Sequence, residues 1–551
     1  MKSAALLLAL TTPLFAAPLA IPPEVAAARD AIRPAGLASH LRFLADDLLE
    51  GRETGSRGFD IAARYVASQF DALGLQPGGG NGSWFQPVHF RTGRITYPQC
   101  SFVVHDGKED VRLNALTDFI LRPGLRVDSD EITAPLVFAG YGISAPELGE
   151  DDYASVDVRG KIAVVISGAP AHFPTDQRAY YSGGLVKSEM AAARGAIGVI
   201  SIRSSADEAR TSFERIAAQS ELPAMRYLSA EGEIADSPQR IRANGMLSHA
   251  AAARVFAHAP KNLDEILSAA EKQAPRSFPL NVTATIRTAS ILSVADSENV
   301  AAILPGSDPA HRDEYVVVSA HLDHLGNRAT TEDHIFNGAY DNASGSAALI
   351  EIARAFAALP KAPARSVLFV ALTGEEKGEQ GSAYFAQHPP LEHGAIVANI
   401  NMDMFLMLFP VKDLVLLGAE HTSLGPLAQA AAETMGFDIS PDPMPEEVRF
   451  IRSDQYSFVR SGVPSISIKT GNISSDPAID GAKATHEWLR TIYHSVRDDM
   501  TQHFDWATGT RYTQVNFLLA WSAANAPEKP RWVEGDFFGK KFSSAVHPDR
   551  P

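Results

Sequence analysis

Mainly apolar runs of four to seven residues recur through the second half of the chain and predict strands buried on both faces. They are Asn299 to Leu304, Tyr315 to Ala320, Ser366 to Leu372, Ile396 to Met402, Leu414 to Leu417 and Ser465 to Lys469. Stretches of helical period lie between or after them, at Ser344 to Leu359, Ser382 to Gln387, Leu424 to Met435 and Gly509 to Ala523. Strand and helix in alternation predict βαβ units, hence a mixed, mostly parallel central sheet flanked by helices. Nearer the start, Glu24 to Leu49 and Gly58 to Leu73 read as amphipathic helices, separated by the glycine-punctuated segment Leu49-Glu50-Gly51-Arg52-Glu53-Thr54-Gly55. From about Glu131 the texture shifts to shorter strands at Leu136 to Ala139, Ile162 to Ile166 and Gly198 to Ile202. The Ala-rich helix Ser188 to Arg194 precedes the last of these, closed by Gly195.

This pattern divides the chain into five parts: a leader at 1–20, an N-terminal part of the main domain at 21–130, an inserted small β-rich α/β module at 131–277, the main part at 278–525, and a tail at 526–551. The tail from Pro527 is rich in Pro and charge and reads as surface. A chain of 551 residues exceeds one ordinary core, which agrees with more than one domain.

Composition narrows the function. The net charge of -16, without a long basic run, argues against a nucleic-acid partner, which would require Lys and Arg to neutralise phosphates. Lys2, the apolar run Ala4 to Leu10 and the small residues at Phe15-Ala16-Ala17 or Pro18-Leu19-Ala20 read as a secretory signal peptide. The expected location is therefore periplasmic or extracellular. No later stretch is apolar enough for a membrane anchor. Cys100 is the single cysteine, so neither an intrachain disulfide nor lipid attachment beside the cleavage region is available. Oligomeric state is not legible from these features.

Ligands gather where parallel strands end at their carboxyl edge. Four polar clusters sit at such ends: Ala320-His321-Leu322-Asp323-His324, Asn337 to Gly345, Leu372-Thr373-Gly374-Glu375-Glu376, and Asn401-Met402-Asp403-Met404. A fifth, Tyr493-His494-Ser495, stands before Asp498. His321, Asp341, Glu376, Asp403 and His494 form a set of two imidazoles and three carboxylates, which can hold two zinc ions that share one carboxylate. Asp323 is placed to orient the His321 ring, and Glu375, beside a ligand yet free, suits a general base. Each piece alone has a plainer reading, such as a helix N-cap for Asp341 or a solvated pair for Glu375-Glu376. Asp403 follows apolar Ile400 and Met402, where an unpaired acid is costly.

The segments HLDH, GAYDNASG, LTGEEKGEQGS, NMDM and YHSVRDD resemble the zinc aminopeptidase family that includes the bacterial leucyl aminopeptidases. Its relatives include glutamate carboxypeptidase, the transferrin receptor and glutaminyl cyclases. EGRETGS and the helix ending in Leu73-Gly74-Leu75-Gln76-Pro77 resemble the family's N-terminal region. Phe138-Ala139-Gly140-Tyr141-Gly142 through Gly160-Lys161 to Gly195-Ala196-Ile197-Gly198 looks like an inserted protease-associated domain. The resemblance implies a fold of the zinc exopeptidase type and two zinc ions per chain. One would be held by His321, Asp341 and Asp403, the other by Asp341, Glu376 and His494. Glu375 would take the proton of the attacking water and pass it to the leaving amine, Asp323 would support His321, and Tyr493 is a candidate oxyanion donor. Peptides would be the substrates.

Two positions depart from the family pattern. Val496 stands where Pro commonly follows the last metal His, and Gln455 in Ser453-Asp454-Gln455-Tyr456 replaces a frequent His. The first bears on loop shape and the second on the substrate pocket. His324, His334 and His486 are expected at the surface or in supporting roles. Other readings of the same superfamily stay open. A carboxypeptidase or dipeptidase would use Arg449, Arg452 or Arg460 for a substrate carboxylate. A glutaminyl cyclase usually lacks the inserted domain, and a receptor-like scaffold would show broken metal clusters.

Overall fold

The long apolar runs become six strands of the main sheet, labelled here in chain order: β1 (Phe278–Leu304), β2 (Glu314–His321), β3 (Ser366–Leu372), β4 (Ala395–Asn401), β5 (Asp413–Leu417) and β6 (Ser465–Thr470). They belong to a computed structural model that describes residues 19–235, 237–271, 276–328 and 333–543. Strands β3, β2, β4 and β6 pair in parallel in that order. The second half of β1 flanks β3 antiparallel, with Val300 opposite Ala371, and β5 flanks β6 antiparallel. Every residue of β3 and β6 is buried, as strands covered on both faces require.

Helices α1 (Gly345–Ala357) and α2 (Trp506–Asn525) pack with two N-terminal helices on one face, around Val316, Val318, Phe369, Phe356 and Phe517. The opposite face carries Val317, Leu368, Val370 and Leu372 against Phe385 and Phe458, from the short helices Gln380–Gln387 and Gln455–Arg460. This is the mixed, mostly parallel sheet with flanking helices that the pattern predicts.

The inserted module has its own sheet. Ser129–Phe138, Ile162–Ile166, Gly198–Ile202 and Ala243–Leu247 pair in parallel in that order. Strands Ser101–His105, Asp110–Leu113 and Phe119–Leu121, all before residue 131, join it too. The first half of β1 pairs with Ser129–Phe138 and Ser101–His105, so one strand runs through both sheets and fixes the module to the main domain.

Two expectations change. The predicted helix over Glu24 to Leu49 is two helices, Pro23–Asp30 and Pro34–Leu44, followed by a tight turn at Asp47–Arg52. Pro34 opens the second helix at its first turn, where its missing N–H leaves nothing unpaired. The tail is not simply surface. Its helix Phe537–Phe542 places Phe538 at 0% exposure among Tyr180, Tyr181, Phe450 and Val459. Three aromatic residues in six outweigh the charge around them. The leader proposed for residues 1–20 falls outside the described residues, apart from Leu19 and Ala20. Among the described residues no helix is long and apolar enough to cross a membrane.

Candidate metal centre

His321 is the last residue of β2, Glu375 and Glu376 follow β3 by a Gly374 turn, and Asp403 lies two residues past the end of β4. Three adjacent parallel strands thus end in side chains able to bind a metal, on one edge. Asp341 arrives from the loop between β2 and α1. His494 arrives from the turn after the helix Gly481–Thr491, with φ of +54°. A non-glycine residue in that region is held by its surroundings, a cost usually found at functional sites.

Asp341 faces both ways. His321 Nε2 lies 3.4 Å from Asp341 Oδ1 and 3.4 Å from Asp403 Oδ1. His494 Nε2 lies 3.1 Å from the other oxygen, Asp341 Oδ2, and 3.4 Å from Glu376 Oε1. Two donors bonded to one zinc at 2.0–2.1 Å and the tetrahedral angle stand about 3.3–3.4 Å apart. The spacing therefore fits two such ions, with Asp341 presenting one oxygen to each. Glu375 groups with His321 and Asp403, their donor atoms all within 4.8 Å of one another.

Supporting contacts explain the arrangement. Asp323 is fully buried, but its carboxylate does not hold the imidazole as expected. The ring Nδ1 of His321 is 3.1 Å from the Asp323 backbone carbonyl and 4.0 Å from its Oδ1. The carboxylate instead accepts the N–H groups of Glu375 (3.1 Å) and Glu376 (3.3 Å), and the Thr54 hydroxyl (3.0 Å). Asp323 thus sets the glutamate pair, and steadies His321 through its main chain. Asp498 accepts the N–H groups of Tyr340 (2.9 Å) and Asp341 (3.1 Å), and so fixes the Asp341 main chain.

Burial, against the pull of His321 and with added repulsion from Glu376, Asp403 and Asp454, raises the carboxyl of Glu375 well above its usual range. Burial acts on Asp341 in the same direction, yet hydrogen bonds from His321 and His494 hold it well below its usual value. Asp403 is likewise held down against its burial, by Lys469 and His321. Among Asp341, Glu376, Asp403 and Glu375, only Glu375 is pushed toward its protonated form, as an acid–base role needs.

Tyr493 stacks on the His494 ring, centroids 3.8 Å apart. Burial, then the carboxylates of Asp341, Glu376, Glu375 and Asp403, keep its phenol protonated well above the usual value. Of the three histidines set aside, His486 is exposed and His334 half-buried. His324 is not at the surface: it is fully buried, with Nδ1 2.8 Å from Glu376 Oε1 and 3.8 Å from Asp341 Oδ2. It therefore stands beside the second donor group.

Four residues not singled out for the site belong to its frame. Arg52, at 0% exposure, donates to the carbonyls of Leu322 (3.0 Å), Asn337 (2.6 Å), Gly338 (3.0 Å) and Leu44, tying together the loops that carry the ligands. Lys469 donates to the Asp403 carbonyl and lies 3.3 Å from Asp403 Oδ2. Asp498 is described above. Asp454 is fully buried, neither carboxylate oxygen has a hydrogen-bond partner, and burial pushes its carboxyl up to about 7. A buried charge in a strand or turn signals such roles, but its partners come from distant segments.

The cations considered for a substrate carboxylate are otherwise engaged. Arg449 pairs with Asp442, Arg452 with Glu447 at 2.9 Å, and Arg460 with Glu189 of the module at 3.3 Å. The module reaches the site edge, where Arg226 Nη1 donates to the Lys377 carbonyl (3.3 Å) and the Tyr227 N–H to Gln380 Oε1 (3.0 Å).

Residues 299–520 match the model described as Peptidase family M28, and residues 132–234 match the PA domain. A probable zinc metalloprotease of Pyrenophora tritici-repentis is 25% identical over 283 residues, 46% of this chain and 59% of that protein. A probable zinc metalloprotease of Pyricularia oryzae is 27% identical over 270 residues, 43% of this chain and 52% of that protein. The match thus spans three-fifths or less of these relatives. The structure of an aminopeptidase from Aneurinibacillus sp. strain AM-1 shares the fold, with a TM-score of 0.51 and 17% identity over 92% of this chain and 97% of that one.

Proposed function

The chain belongs to peptidase family M28 and carries an inserted PA domain, and from this premise we propose that it is an aminopeptidase that works with two zinc ions. The observation that carries the reading is the placing of donors on both sides of Asp341, each set at the spacing of a tetrahedral ion. His321, Asp341 and Asp403 would hold one ion, and Asp341, Glu376 and His494 the other.

Bound zinc supplies Lewis acidity, which polarises the scissile carbonyl and makes water a nucleophile near neutral pH. Glu375 supplies the proton transfers. Its carboxylate takes the proton from the attacking water, and the acid so formed passes it to the nitrogen of the leaving amine. The raised affinity of Glu375 for a proton suits it to both steps. The Tyr493 phenol, kept protonated, can donate a hydrogen bond to the carbonyl oxygen as it gains charge.

The choice of the N-terminal direction rests on charge. With Asp403 held for the metal and Glu375 for proton transfer, the buried carboxyl of Asp454 beside them would accept from a substrate ammonium. A carboxypeptidase needs a cation for the substrate carboxylate. Lys469 is engaged with Asp403, and Arg449, Arg452 and Arg460 with other acids. Blocking the substrate amine tests this. Hydrolysis of a free peptide that stops on N-acetylation supports the reading, whereas equal cleavage of both, or loss only on C-terminal amidation, contradicts it. Export rests on Lys2, the run Ala4 to Leu10 and the small residues after it. A mature N-terminus past residue 17 or 20 supports it, and an intact Met1 in the cytoplasmic fraction contradicts it.

A further inference from the structure

A second convergence of imidazole and carboxylates lies away from this centre, where three parts of the chain meet. Asp176 is on the module helix Thr175–Ser182, Glu420 and His421 follow β5, and Asp536 caps the tail helix Phe537–Phe542. One donor atom from each of Asp176, Glu420 and His421 lies within 4.8 Å of the others.

The His421 side chain is fixed in position. Only 4% of the residue is exposed, its ring stacks on Phe450 with centroids 5.2 Å apart, and Phe538 meets it edge-on at 5.0 Å. Nδ1 lies 2.6 Å from Asp536 Oδ2, while the other Asp536 oxygen accepts the Gly539 N–H at 2.8 Å. Against its burial, Asp176 and Asp536 raise the metal-free imidazole to about 10, so an ion would displace the Nε2 proton while Asp536 keeps the Nδ1 proton, which is how metal-binding histidines are usually oriented.

Nε2 is buried and has no hydrogen-bond partner. Asp176 Oδ2 lies 3.4 Å from it, the same separation as between His321 Nε2 and Asp341 Oδ1. Such a spacing fits two donors of one zinc-type ion. A cavity of about 790 Å³ opens beside the group, bordered by Asp176, Glu420, Gln429 and Phe450, and gives an ion a way in.

We propose that Asp176, Glu420 and His421 form a further site for a zinc-type divalent cation, oriented by Asp536, that ties the module to the main domain and the tail. An imidazole with two carboxylates suits zinc, cobalt or manganese rather than calcium, which prefers oxygen donors throughout. The site is independent of the catalytic reading, because it shares no residue with the metal centre.

The test uses the full chain, dialysed against Zn2+, with bound metal counted per chain and located by anomalous scattering in crystals. The wild type holds one more ion than Asp176→Asn, Glu420→Gln or His421→Gln, and the anomalous map shows a peak among these three side chains. Asp536→Asn weakens that ion about 10- to 100-fold without removing a ligand. The hydrolytic rate of all four variants stays that of the wild type. Glu420 is exposed, so its substitution serves where the buried variants fail to fold. Equal metal content in wild type and Glu420→Gln, with no anomalous peak, overturns the proposal. His421 is then a protonated link between Asp176 and Asp536.

Discussion

Asp341 is the residue on which the centre turns, and its position depends on a glycine. Gly338 has φ of +58°, and a Cβ there would stand 2.2 Å from the Asp341 carbonyl oxygen and 2.5 Å from the His324 ring. Gly338→Ala is expected to cost about 1–3 kcal/mol from backbone strain alone and to lower metal content, read by thermal melting and metal analysis. Glu375→Gln keeps the ligand set but removes the base. Turnover should fall about 10²–10⁴-fold with metal content unchanged. Metal loss in that variant would mean that Glu375 and Glu376 have been interchanged. Arg52→Met leaves several buried carbonyls without a donor, and a loss of about 3–5 kcal/mol is expected in denaturant melts. At this scale the donor types were legible because His, Asp and Glu stood at the ends of apolar runs. The supports were not. Arg52 lies 270 residues from its partner Leu322, and Lys469 lies 66 from Asp403, so no local pattern joins them.

Among the elements, β1 carries the most consequence, since its two halves belong to two sheets. Period and apolar runs marked its second half, Asn299 to Leu304, and missed that it continues from Phe278. The exposed positions between Ile291 and Ser297, which pair with Phe85–Ile95 just past the change of sheet, hid the continuity. The tail failed as a surface prediction because Pro and charge around Trp532, Phe537 and Phe538 masked three anchors. Inside the module, Lys187 is 4% exposed and donates to the Tyr141 carbonyl, and burial lowers its ammonium to about 7, against the pull of Asp152. A folded-state value below the ordinary 10.5 means that the unfolded chain binds this proton more tightly. The penalty is complete below about 7 and fades as pH rises toward 10.5. Lys187→Met should therefore stabilise the chain at pH 6, by about 1–3 kcal/mol after the lost hydrogen bond, and less as pH rises. A gain that grows with pH would contradict this.

For the whole molecule, the metal centre should be a source of stability as well as chemistry. Asp341, Glu376 and Asp403 crowd around two histidines, and removing cations from such a group leaves like charges in a poorly solvated place. Chelation is expected to lower the Tm of the full chain, and zinc to restore it. An unchanged Tm would show that the histidines and Lys469 balance these carboxylates unaided. The central claim is that this cluster, with Glu375, removes residues from the N-terminus of peptides with the help of zinc. The measurement that meets it most directly is the release of p-nitroaniline from a panel of aminoacyl p-nitroanilides, before chelation, after it, and after zinc is returned. Hydrolysis of at least one member, lost to chelator and restored by zinc, is the expected result. A chain that binds two zinc ions yet hydrolyses no member of the panel would contradict it.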